Sequence, residues 1–390
     1  MADVIDPRVL RRFDVCQKLG QGAYGIVWKA TQRKSGAVVA LKKCFEAFRC
    51  NVDAQRTFRE VMYLRALSGH ENIVKIHSVV RADNDKDLYI TFDYMETDLN
   101  QVIKARILED IHIRYVIYQL LKALKYIHSA KLLHRDIKPS NILLDASCRL
   151  KLCDFGLCRS IAEGETLENV ELTDYVATRW YRSPEVLMGS KKYTVGLDLW
   201  SVGCILGEMF RTRPLLPGAS TMNQLEKIFE VTGNPSARDV QSWQSPFAAS
   251  MVDNVKASCR VKLDEICHEL PKSAKILIKS LFKLNPAKRG TAEIALEHEY
   301  VADFHDAEAE TAYPYGPIKI GISDNTQLSA DNYRKEIYKS IDDIKEESRR
   351  LRHDMKQQES NQHSHSRRNR SRRDDMTRST DAVKKTVSSV

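Results

Sequence analysis

The chain has no run of about 18 apolar residues, the length a membrane-spanning helix needs. Its first twelve residues are charged, with no cationic head leading into an apolar stretch, so a secretory leader is not expected either. It also lacks any C-x-x-C pair. Nine cysteines, an odd number, are dispersed from Cys16 to Cys267, which suits free thiols in a reducing compartment. These absences point to a protein that is neither secreted nor membrane-embedded, placed in the cytoplasm or the nucleus. Internal repeats are absent too. What is present is 390 residues, 43% of them hydrophobic, enough for two or three domain-sized units around a sizeable core. The net charge of +9 is uneven: residues 356–390 hold nine Lys/Arg against four Asp/Glu, leaving the body only mildly basic and no obvious nucleic-acid binder.

Along residues 13–95 apolar and polar positions alternate around Gly-rich or charged turns (Phe13 to Leu19, Gly25 to Ala30, Ala37 to Lys42, Leu88 to Phe92), the pattern of short antiparallel strands. One helix interrupts them, with Phe58, Val61, Met62, Leu64 and Leu67 at helical spacing after a polar run. From 96 to 304 the period lengthens into amphipathic helices such as Ile111 to Ser129 and Leu199 to Arg211. The expected architecture is α+β and bilobal, with a 1–12 extension, a β-rich lobe over 13–95 and a mainly helical lobe over 96–304. Residues 305–327 read as irregular because Pro314 and Pro317 break any helix. Tyr333, Ile337, Ile341, Ile344, Leu351 and Met355 then predict an amphipathic helix within 328–358, expected to pack on the body. The 359–390 tail is Ser, Arg, Asn and His with almost no apolar residue, a composition that cannot build a core.

Leu19-Gly20-Gln21-Gly22-Ala23-Tyr24-Gly25-Ile26-Val27 joins two predicted strands, which makes it a poor dinucleotide fingerprint and a good flap over triphosphate oxygens. A glycine-bearing hairpin without a ligand would look the same. Lys42 ends the apolar run Val39-Ala40-Leu41 and needs a counter-charge, and Glu60 lies on the following helix. A strand lysine held by that carboxylate can meet the α and β phosphates of ATP. In His134-Arg135-Asp136-Ile137-Lys138-Pro139-Ser140-Asn141, Asp136 has the place of the base for a substrate hydroxyl, Lys138 can stabilise charge on the transferred phosphoryl, and Asn141 can bind a second Mg2+. Asp154-Phe155-Gly156 follows an apolar strand, and its carboxylate can hold Mg2+ across the β and γ oxygens. Each motif alone is weak. Their order and spacing together are not expected by chance.

Residues 13–304 therefore resemble a protein kinase. The resemblance implies Ser/Thr substrates, from Lys138, and structural roles for Glu185 with Arg289 and for Asp198, which anchors the catalytic loop. It implies adenine binding at the backbone of Asp93 to Met95 behind Phe92, and a thiol at Cys153 within reach of electrophilic ATP-site ligands, the plainer role for Cys153 being a small core residue. Thr173-Asp174-Tyr175 lies between Asp154 and Ser183-Pro184-Glu185 and resembles the dual phosphorylation lip of mitogen-activated protein kinases. Phosphate on Thr173 would meet Arg59, Arg135 and Arg159, and phosphate on Tyr175 would meet Arg179 and Arg182; solvated surface arginines are the plainer alternative. Asp6-Pro7-Arg8, the Gly-rich segment and Asp53 to Glu60 narrow the resemblance to the atypical extracellular-signal-regulated kinases of the mitogen-activated protein kinase 15 type, with Asp174 where those mostly carry Glu. That likeness implies autophosphorylation of the lip, Ser/Thr-Pro substrates and a place at basal bodies, centrosomes or cilia.

Asp306, Glu308 and Glu310 lie where relatives keep an acidic groove for basic docking motifs, or form a solvated acidic loop. Arg367-Arg368-Asn369-Arg370-Ser371-Arg372-Arg373 could contact RNA, microtubules or acidic lipid, or serve nuclear import; no aromatic is interleaved for base stacking, and a solvating, phosphorylatable tail is the simpler role. Two other classes of function remain: a scaffold that keeps the fold without chemistry, and an adaptor working through the tail.

Overall fold

A computed structural model describes residues 4–22, 25–161, 179–190, 192–255, 263–266 and 268–343. The chain divides into a compact unit, Met1–Arg334, and a second, Lys335–Val390. In the first unit, α1 (Pro7–Leu10) is one turn, started by Asp6, whose carboxylate accepts the Arg8 N–H at 2.7 Å, with Pro7 at its first position. It buries Val9 beside Phe13, Ala30, Val39, Leu41 and Tyr89, so residues that read as an extension form part of the small lobe's core.

Five antiparallel strands follow in chain order: β1 (Phe13–Gly22), β2 (Gly25–Gln32), β3 (Val38–Cys44), β4 (Ile76–Arg81) and β5 (Leu88–Asp93). Their spatial order is β1-β2-β3-β5-β4. Strand β4 escapes the alternation test because its register against β5 slips between Ile76 and Ser78, so its inward residues do not fall on every second position. Helix α2 (Asn51–Ala66) crosses this lobe and buries Ala54, Phe58, Val61 and Leu64, the i, i+3, i+4 stripe expected of it. It begins earlier than the polar run suggested, with Cys50 in the capping position.

In the larger lobe, β6 (Thr97–Asp98) leads into α3 (Leu99–Ala105), where the Asp98 carboxylate accepts the Gln101 N–H at 3.0 Å. Helix α4 (Asp110–Ser129) is buried along most of its length. Short strands β7 (Leu132–Leu133), β8 (Ile142–Leu144), β9 (Leu150–Leu152) and β10 (Arg159–Ser160) form two small sheets, β6-β8-β9 and β7-β10. These sheets hold the polar loops between them in place. After α5 (Pro184–Leu187), α6 (Gly196–Arg211) is apolar on nearly every face and runs through the centre of the lobe. No described helix is long and apolar enough to cross a membrane. Residues 305–329 form no regular element. A helix covers 330–343, and the remainder of the expected 328–358 helix and the whole 359–390 tail lie outside the described residues.

Candidate active site

Two of the three glycines of the flap stand apart from the third. A Cβ on Gly20 or Gly22 would meet no heavy atom within 4 Å among the described residues, so both sit over open space at the end of β1. Gly25 is different: a Cβ there would lie 2.1 Å from the Lys43 carbonyl oxygen. Its bareness is required by the pairing of β2 with β3, a reason the sequence reading had not separated from phosphate approach. Leu19 and Gln21 are exposed, Ile26 is buried and Val27 is half-buried; Ala23 and Tyr24 lie outside the described residues.

Strand β3 carries Lys42 toward α2, where its Nζ donates to both oxygens of Glu60 at 2.6 and 2.9 Å. Burial opposes charge on Lys42, but Glu60 outweighs it and, with Asp154 nearby, holds the ammonium above the ordinary lysine range. Burial raises the Glu60 carboxyl against the pull of Lys42. The result is a fixed cation between β3 and α2.

The loop after β7 is shaped by Asp198 on α6, which is wholly buried. Its carboxylate accepts the backbone N–H groups of His134 at 3.0 Å and Arg135 at 2.9 Å, and pairs with His128 at 2.9 Å. This anchoring holds Arg135 at φ +70°, a left-handed conformation that costs a non-glycine residue about 1–2 kcal/mol. His134 sits between the two functional carboxylates. Its Nδ1 accepts the Asp136 N–H at 3.3 Å, so the proton is on Nε2, which donates to the Cys153 carbonyl at 3.1 Å. Burial lowers the His134 pKa and keeps the ring neutral, in accord with that tautomer.

The Asp136 Oδ2 receives Lys138 Nζ at 2.6 Å and Asn141 Nδ2 at 3.0 Å. Asn141 Nδ2 also donates to the Asp136 carbonyl, which leaves the amide oxygen as the group free to meet a cation. The Cys153 N–H donates to the Asn141 carbonyl at 3.0 Å beside the β8–β9 pairing, which brings Asp154 next to Asn141. Asp154 itself is left-handed, at φ +64°. Burial works against its charge, yet Lys42 and Lys138 outweigh burial and hold it below the ordinary carboxylate range. Asp136 goes the other way: burial raises it, opposed by Lys138. The two carboxylates are thereby split, the charged form being favoured at Asp154 and the protonated form at Asp136.

Asn141 and Asp154 offer only oxygen donors, and no described cluster of three or more His, Cys, Asp or Glu could enclose a metal on its own. Two oxygen ligands fit a hard divalent cation, which would need further oxygen donors from outside the protein. Phe92 and Met95 are buried at the end of β5 and just beyond it. The Asp93 carboxylate is taken by His77 at 2.8 Å and by Lys151 at 3.0 Å, so its side chain is already engaged. The Cys153 thiol is pushed up by burial, first of all, and by Asp154, which makes it a weak nucleophile.

Thr173 and Tyr175 lie outside the described residues. Of the arginines assigned to their phosphates, Arg59, Arg135 and Arg159 come together from α2, the catalytic loop and β10; Arg179 lies in the one-turn segment Arg179–Tyr181, with Arg182 next to it. The first group holds a residue that the sequence reading missed. Asp324 accepts Arg59 Nε at 2.9 Å and Tyr63 Oη at 2.6 Å, and no local motif marks it. The acidic docking expectation needs correction at Glu310, which is 2% exposed and pairs with His305 at 2.7 Å and Lys125 at 3.4 Å. A carboxylate enclosed in that way is not offered to a basic peptide. The structural pair is as expected: Arg289 Nη1 and Nη2 reach the two Glu185 oxygens at 2.6 and 2.7 Å.

A Lys–Glu pair in the small lobe, an Asp–Lys–Asn cluster in the loop after β7 and an aspartate after β9 are the groups that protein kinases use, and the protein kinase domain family matches residues 13–301. Extracellular signal-regulated kinase 2 of Dictyostelium discoideum is 53% identical over 348 residues, covering 89% of this chain and 94% of that protein. Mitogen-activated protein kinase 15 of Xenopus laevis is 50% identical over 86% of this chain and 58% of its own length. Mitogen-activated protein kinase 15 of Caenorhabditis elegans is 46% identical over 91% of this chain and 76% of its own. The chain belongs to the mitogen-activated protein kinase family, among the kinases of the mitogen-activated protein kinase 15 type. It is accordingly a serine/threonine protein kinase that uses ATP with a divalent cation.

Proposed function

We propose that this kinase transfers the γ-phosphate of Mg-ATP to serine or threonine followed by proline, and that phosphorylation of Thr173 and Tyr175, in part by the kinase itself, raises its activity. The observation that carries the chemistry is that Lys42, paired with Glu60, and Lys138, bonded to Asp136, both act on Asp154, with Asn141 donating to the same Asp136. Lys42 would hold the α and β phosphates, and Asn141 and Asp154 would hold the cation, which neutralises charge on the phosphates when bound. Asp136 would orient the substrate hydroxyl and take its proton, while Lys138, 2.6 Å from it, would stand beside the transferred group. Proline preference and lip control follow the likeness to mitogen-activated protein kinases. Charge supports the lip reading: three arginines beside one carboxylate leave positive charge for a phosphate to meet.

Radiolabel transfer from ATP to a peptide array tests this directly. Asp136→Ala is expected to retain nucleotide binding and lose about 10²–10⁴-fold in kcat. Transfer at the wild-type rate by that variant would remove Asp136 as the base. Arrays in which Ser-Ala peptides are labelled as well as Ser-Pro peptides would reject the specificity assigned.

A further inference from the structure

Asp324 belongs to the irregular stretch that follows the large lobe, yet only 6% of it is exposed. Arg59 grips it with two donors: Nε to Oδ1 at 2.9 Å and Nη2 to the backbone oxygen at 3.1 Å. Its Oδ2 accepts the Tyr63 hydroxyl at 2.6 Å and the Ser160 N–H at 2.8 Å. One buried carboxylate thus joins two side chains of α2 to strand β10, the strand that follows Asp154. The segment around it runs along the same helix. Ala330 N–H donates to Asn51 Oδ1 at 2.9 Å, Gln55 Nε2 donates to Tyr333 Oη at 3.0 Å, and the Phe58 and Tyr333 rings lie 5.4 Å apart.

Arg59 is the residue immediately before Glu60, and its own side chain is 6% exposed. A guanidinium enclosed to that degree without a counter-charge carries a penalty of several kcal/mol, which the helix could relieve by turning outward toward water. Turning α2 would draw Glu60 away from Lys42. The neighbouring cations are disposed differently. Arg135 donates to the Leu157 carbonyl at 3.2 Å and faces the Tyr193 ring at 5.4 Å. Arg159 reaches the Asn325 amide oxygen at 3.5 Å, and its buried Nε has no hydrogen-bond partner among the described residues. Burial, then Arg59 and Arg135, bring the Arg159 pKa down to about 10, a sign of how closely the three positive charges are held.

We infer that Asp324 is a positioning residue for phosphoryl transfer: it neutralises Arg59 from within the chain and so holds α2 where Glu60 meets Lys42. The inference rests on the kinase assignment and deepens it. It makes the Lys42–Glu60 pair dependent on the segment after the large lobe.

The test uses the full chain, treated with phosphatase, with initial rates measured against ATP and peptide separately. Asp324→Asn keeps the shape of the side chain and removes its charge. It is expected to raise KM for ATP and lower kcat, for a combined loss of about tenfold or more in kcat/KM for ATP, with KM for the peptide little changed. Asp324→Glu should recover most of that loss. Arg59→Gln combined with Asp324→Asn should be no worse than the poorer single variant, because the two residues act as one unit. Wild-type kinetics in Asp324→Asn, or losses that multiply in the double variant, would overturn the assignment. If Asp324→Asn does not fold, Tyr63→Phe decides: it removes one donor to Oδ2 and should raise KM for ATP about two- to threefold, and an unchanged KM would overturn the assignment. A wild-type chain that transfers no phosphate would instead defeat the kinase reading itself.

Discussion

Asp136 is pulled in two directions: burial favours its protonated form, and the Lys138 ammonium favours the carboxylate. In the role proposed for it Asp136 must be ionised to accept the hydroxyl proton, so activity should rise with pH through its raised pKa and fall away on the acid side. Replacing Lys138 with Met removes the lowering influence. The acid limb of the kcat/KM profile should therefore move to higher pH in Lys138→Met, whatever the drop in absolute rate. A limb left in place would mean that Lys138 does not act on Asp136. Asp154 gains its ionised state from the same cation and from Lys42, so a single lysine serves both carboxylates. The charges of these residues were plain in the motifs, but the sign of each shift was not. It depends on which lysine stands beside which buried carboxylate.

At the scale of elements, sequence pattern located α2, α4 and α6 because one face or all faces of each are apolar at helical spacing. It missed β4, where a bulge breaks the alternation, and it could not divide the labour among the glycines of the flap. Gly25→Ala places a methyl group against the backbone of β3, and about 1–3 kcal/mol of folding stability should be lost. Gly22→Ala meets open space and should change stability by less than about 0.5 kcal/mol, its effect falling on KM for ATP. Urea titration of the two variants separates the roles, and equal losses of stability would contradict the division. The turn after β7 is a comparable case. Its backbone is left-handed at Arg135 because Asp198 receives two successive N–H groups there, an arrangement for which the loop's own residues give no local cue.

Across the whole molecule, folding joins charges that are far apart in the chain. Glu185 and Arg289 are 104 positions apart, and their side chains are 1% and 0% exposed. Arg289→Met leaves a buried carboxylate without its partner and should cost about 3–5 kcal/mol in denaturant unfolding. Removing both charges with Glu185→Leu and Arg289→Met should recover part of that loss, because the penalty comes from the orphaned ion more than from the missing attraction. A double variant as unstable as the single one would show that shape, not charge, is what the pair supplies. The same long-range closure hides Glu310 from any docking peptide and brings Asp324 to Arg59 across 265 positions. The sequence by itself marked the candidate groups: a lysine in an apolar strand, an aspartate and an amide in one loop and an aspartate after the next strand are short-range patterns, visible because each motif is local. Only the tertiary structure decided which charges are buried, which partner each one has and which glycine supports the sheet, because burial and pairing arise from contacts between segments that sequence spacing does not relate.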